Sequence, residues 1–178
     1  MGFIDMKKYS LIDYAFLLSV LVFFLGLGDA EAKNNPPTLW QFIDQMSDTI
    51  KNTTVNNVDK FPLPVRFLSE NEFIKFYKAD THSLADASKI SDIDLRLSKN
   101  ASSMAPFLLF SYSGRCITLN DIKSQYHTVV LTDYPRGRSE NEASSYTTPV
   151  DSHGQKIAFG FTVKTPDCLS WVSITSDA

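Results

Sequence analysis

The chain has 178 residues, 43% of them hydrophobic, with 17 basic and 20 acidic side chains, three histidines and two cysteines. A formal charge of −3 lacks the concentrated positive field that nucleic-acid binding requires. No internal repeat or low-complexity tract is present, which leaves an ordinary globular domain behind its first segment.

That first segment reads as an export signal. Lys7 and Lys8 supply a positive start, Tyr14 to Gly28 is apolar except for Ser19, and Ala30-Glu31-Ala32 is a small-x-small cleavage site. The apolar run is shorter than the roughly 20 residues needed to span a bilayer. A signal peptide over 1–32 and one domain over 33–178 are expected, with no stable membrane insertion after cleavage; an uncleaved anchor is the alternative. Removing Lys7 and Lys8 leaves 15 of the 17 basic residues. Removing Asp5, Asp13, Asp29 and Glu31 leaves 16 of the 20 acidic ones, so the mature charge is near −1.

Thr38-Leu39-Trp40-Gln41 is a capping box. Leu39, Phe42, Ile43, Met46 and Ile50 follow at spacings of three and four, predicting an amphipathic helix over 39–51 with Trp40 off its stripe. Phe61-Pro62-Leu63-Pro64 is extended, and Val65 to Leu68 continues it as a short strand. Ser69-Glu70-Asn71-Glu72 reads as a second capping box, predicting a helix over 70–78 that buries Phe73, Ile74 and Tyr77.

Ile93, Leu95 and Leu97 alternate with polar residues, the period of a half-buried strand. Phe107 to Phe110 is a continuous apolar run between Pro106 and Gly114. It suits a strand covered on both faces, with a short buried helix as the alternative. Thr118 is placed to cap a helix over 119–126 that buries Ile122 and Tyr126. Residues 128–132 form a β-branched strand. Residues 133–154 are polar without apolar period and read as one long loop. Ile157, Phe159, Phe161 and Val163 alternate as a strand in which Gly160 would let another backbone approach. Residues 168–175 make the last strand. The order predicts an α+β domain, mainly antiparallel sheet with two or three short helices packed on it.

Cys116 and Cys168 in an exported chain read as one disulfide, with two free buried thiols as the alternative. His82, His127 and His153 are scattered, so no metal or other cofactor is expected. No GxSxG, Ser-x-x-Lys or HExxH pattern occurs, and no catalytic set is expected. Two charged groups stand out as candidate partner-binding residues. Arg136, Arg138, Glu140 and Glu142 crowd the polar loop, where arginines could clamp a carboxylate and glutamates could meet a basic surface. Asp94 and Arg96 share the outer face of a strand; an edge strand kept soluble by charge is the plainer reading.

Asp94-Leu95-Arg96, Gly114-Arg115-Cys116-Ile117, Pro135-Arg136-Gly137-Arg138-Ser139, Phe159-Gly160-Phe161 and Pro166-Asp167-Cys168-Leu169 together resemble small exported proteins of Gram-negative bacteria, over about residues 39–172. Some such proteins are periplasmic immunity factors that protect a cell from effectors delivered by neighbours. The resemblance implies a periplasmic or secreted, non-enzymatic protein that binds a protein partner such as a secreted toxin, and it assigns no site residue. A small periplasmic or secreted hydrolase and an envelope ligand-binding accessory module are the alternatives.

Overall fold

The computed structural model describes residues 35–100 and 104–176; the expected signal segment lies outside the described residues. Helix α1 (Leu39–Ile50) starts as the capping box predicts. Thr38 Oγ1 accepts from the Gln41 N–H at 3.3 Å, and Gln41 Oε1 accepts from the Thr38 N–H at 2.9 Å. The helix buries all five residues of its predicted stripe. Helix α2 (Leu119–Tyr126) opens with a reciprocal Thr118–Asp121 cap. Hydrogen bonds from the Thr118 N–H and then its hydroxyl hold the Asp121 carboxyl below the usual carboxylate range.

The strands are β1 (Val65–Glu70), β2 (Ile74–Ala79), β3 (His82–Ser83), β4 (Lys89–Ser98), β5 (Phe107–Ser113), β6 (Val130–Asp133), β7 (Ala143–Thr147), β8 (Gln155–Thr162) and β9 (Trp171–Ser176). They form one antiparallel sheet in the order β1-β2-β4-β5-β9-β8-β7-β6, with β3 beside β4. Two four-stranded meanders therefore meet at the β5–β9 pair, where Leu108 faces Ile174 and Phe110 faces Val172. The α+β class, the antiparallel sheet and the Cys116–Cys168 disulfide are as expected.

Both helices pack on one face of the sheet. The Phe42 ring of α1 meets Phe110, and the Tyr126 ring of α2 meets Phe159. Phe110 and Phe159 both stand opposite Val172 in register, which puts them on the same side. Leu95, Leu108, Phe110, Phe159, Val172 and Ile174 are fully buried there. In β4 a bulge between Ser91 and Asp94, with Asp92 at φ 51°, adds one residue to the strand. The bulge lets Ile90 and Ile93, three apart, both point into the core.

The region expected as a helix over 70–78 is instead the turn and second strand of the β1–β2 hairpin. The capping signature is satisfied differently: Asn71 Oδ1 accepts from the N–H groups of Phe73 and Ile74 and closes the turn. Period 2 then buries Tyr77 and Ala79, and Phe73 is exposed. The long polar loop is also corrected, because β7 lies inside it. Its ladder partners on both sides supply the order that its composition hides. Val163 lies past the end of β8 and is exposed. Phe107 and Leu109 are half-buried, so β5 is covered fully on the helix face only.

Candidate functional site

Strand β6 is the last strand of the sheet and pairs only with β7 among the described strands. Its other edge presents backbone donors and acceptors without ladder partners. Val130 (54% exposed), Leu131 (53%) and Tyr134 (66%) lie on or beside it. The strand itself is legible as a β-branched segment. Its edge position is not, since strand order depends on contacts distant in sequence.

The β6–β7 connection carries the four predicted loop residues. Glu142 turns back on its own loop: Oε2 accepts from the N–H groups of Arg136 and Gly137, and Oε1 from that of Arg138. Gly137, at φ 79°, supplies the left-handed residue that lets three successive N–H groups converge on one carboxylate. Glu140 reaches Lys164 at 3.8 Å, and its carbonyl accepts from the Lys164 N–H. Arg136 lies 3.9 Å from Asp133, a weak exposed pair. The Arg138 guanidinium has no ion-pair or hydrogen-bond partner among the described residues. The loop is thus held by Glu142 and presents its arginines to solvent beside the bare strand.

Asp94 and Arg96 sit elsewhere. They belong to β4, which runs between β2 and β5, so the edge-strand expectation is corrected. Four strand spacings separate β4 from β7, about 19 Å, and the two charged groups do not form one site. On the helix-free face the Arg96 guanidinium is 4.9 Å from the Phe107 ring centre and 5.8 Å from that of Phe76. Arg96 Nε and Nη2 both donate to Asp94 Oδ2, at 3.1 and 2.8 Å. Asp94 is only 9% exposed, and its Oδ1 is buried with no hydrogen-bond partner.

The histidines fall on separate elements. His82 is on β3 and stacks on Phe42, His127 caps α2, and His153 is in the turn before β8. Among the described residues no group of three or more His, Cys, Asp or Glu side chains is placed to hold a metal ion. No described helix is long and apolar enough to cross a membrane. No family model matches the chain, and it has no match among curated proteins or solved structures.

Proposed function

We propose that this is an exported, non-enzymatic protein that binds a partner protein through the β6 edge and the adjoining Arg136–Arg138 loop. In its most concrete form it is a periplasmic immunity protein that neutralises a secreted antibacterial effector. The observation that carries the binding role is the bare β6 edge with Val130, Leu131 and Tyr134 about half exposed or more. An exposed apolar edge is an aggregation hazard unless something pairs with it, and an extended segment of a partner does so by adding a strand. Arg136 and Arg138 beside it suit an acidic partner surface, steering encounter and fixing register. Export is supported by the disulfide, which persists in oxidising compartments.

The test is co-purification of the mature protein with the product of the neighbouring gene, followed by titration calorimetry. Binding should be lost in a Val130→Lys/Leu131→Lys variant that still melts cooperatively. Binding that survives this change, mapped to another surface, would overturn the assignment of the edge. Failure of wild-type protein to bind the neighbouring product, with a hydrolytic activity in its place, would overturn the whole reading.

A further inference from the structure

A second site lies on the helix-free face, independent of the β6 edge and of the reading built on it. The ladders set one row of side chains across this face. Phe76 of β2 faces Arg96 of β4, Arg96 faces Phe107 of β5, Phe107 faces Thr175 of β9, and Thr175 faces Lys156 of β8. A cleft of about 320 Å³ opens along the row from Arg96 to Lys156. Its volume is at the lower end of the range of small-ligand sites. Ile74, Ala105 and Phe107 give it an apolar side. The described residues that line it include two cations, Arg96 and Lys156, and no carboxylate, so its field favours an anion.

The Arg96 guanidinium is fixed before any ligand arrives. The rings of Phe107 and Phe76, its neighbours on either side in the row, lie 4.9 and 5.8 Å from it. Asp94 Oδ2 accepts from Nε at 3.1 Å and from Nη2 at 2.8 Å. That engages two of the five N–H donors of a guanidinium. The donors of Nη1 and the second one of Nη2 have no partner among the described residues, and together they form the fork that matches a carboxylate. Asp94 itself is retained at a cost, because its Oδ1 is buried with no hydrogen-bond partner. A pair that served stability alone would satisfy both oxygens, and a buried ion pair is weak evidence for stability in any case. The one-sided grip of Asp94 instead sets the direction of the guanidinium.

We propose that this cleft binds an organic carboxylate with an apolar stem. The carboxylate accepts from the open Nη1–Nη2 edge of Arg96, and the stem lies along Ile74, Ala105 and Phe107. A planar anion with two oxygens is what the fork selects, since Asp94 occupies the other edge and the flanking rings hold the guanidinium in place. Asp94 positions Arg96 and does not touch the ligand. Lys156, at the far end of the row, adds to the positive field.

The experiment is a titration of the mature, disulfide-bonded protein followed by amide chemical shifts. The probes are 3-phenylpropionate, a free acid, and N-acetyl-phenylalanine, which presents the carboxylate of a polypeptide C-terminus. The controls are 3-phenylpropanamide, which keeps the stem without the charge, and acetate, which keeps the charge without the stem. Saturable shifts at the ends of β4 and β9 and the start of β5 are expected, with a dissociation constant at or below about 1 mM for at least one acid. The tighter acid identifies the source as a free carboxylate or a chain terminus. The amide should bind about tenfold more weakly than its acid, and Arg96→Lys, which keeps a charge and loses the fork, should weaken the acids by a similar factor. Ala105→Leu should block the stem without lowering the melting temperature; Lys123→Gln, on α2 across the sheet, should leave binding unchanged. The proposal is overturned if neither acid saturates, if acetate gives the same shifts with the same affinity, if the amide binds as tightly as the acid, if Arg96→Lys or Ala105→Leu binds as wild type does, or if Lys123→Gln weakens binding as much as they do. The amide and Ala105→Leu leave the Asp94–Arg96 pair intact, so they decide the question even where Arg96→Lys does not fold.

Discussion

The indole of Trp171 lies against Gly160, its register partner across the β8–β9 pair. A Cβ built on Gly160 would stand 1.9 Å from Trp171 Cε2. The pair sits on the helix-free face, so the glycine admits a side chain there and not the second backbone its sequence context suggests. Gly160→Ala should destabilise the protein by about 1–3 kcal/mol, because the indole must leave its place on a crowded sheet. The check is a double-mutant cycle by denaturant unfolding: in a Trp171→Ala background most of the Gly160→Ala cost should vanish. An equal cost in both backgrounds would show that the indole contact is not the cause.

The disulfide joins the segments flanking two strands that are already ladder neighbours, and its cysteines are 52 positions apart. Little native packing depends on it directly, so its main action is on the unfolded chain. Replacing both cysteines by serine should lower stability by roughly 2–5 kcal/mol and leave the near-ultraviolet circular dichroism of the folded state unchanged. A variant as stable as the oxidised wild type would contradict this account.

Two kinds of charge in the β6–β7 loop separate on mutation. Arg136→Ala with Arg138→Ala removes exposed groups and should change stability by no more than about 1 kcal/mol. It should weaken partner binding by roughly 1–3 kcal/mol if either arginine is an anchor. Glu142→Ala removes the acceptor for three N–H groups and should speed amide exchange at residues 136–138. Unchanged exchange there would mean that the loop holds its shape without Glu142.

Much of the fold is legible in the chain because its signals are local. The α1 stripe, the Thr118 cap and the alternation of Ile157, Phe159 and Phe161 each lie within one element. The helix expected over 70–78 fails because Asn71 serves a turn as well as it serves a cap, and the ladders that pair β2 with β1 and with the more distant β4 decide between them. The chain names Arg136 and Arg138 as exposed charges but cannot show that β6 beside them is an edge. The cleft between α1, the end of α2 and the segment before β8 is invisible in sequence, since two residues that line it, Asp44 and Tyr126, are 82 positions apart and owe their meeting to packing.

Asp44 gives a pH test of its surroundings. Its carboxyl titrates above its ordinary value because partial desolvation at the helix surface and then the Asp48 charge disfavour the ionised form. The folded state therefore holds this proton more tightly than the unfolded state does. Stability from this group falls as pH rises from the ordinary carboxylate range through the raised value, and the full penalty stands at neutral pH. Asp44→Asn removes the charge and should raise the melting temperature at pH 7, by the equivalent of about 0.5 kcal/mol or less at this exposed position. The gain should shrink as pH falls below the ordinary carboxylate range, where wild-type Asp44 is neutral in both states. Asp86, Asp121 and Asp151 titrate in the opposite sense, each held below the usual range by hydrogen bonds, so both proteins lose stability in acid. The difference between variant and wild type isolates Asp44. An Asp44→Asn variant less stable than wild type at pH 7 would mean that the carboxylate has a stabilising partner in the fold.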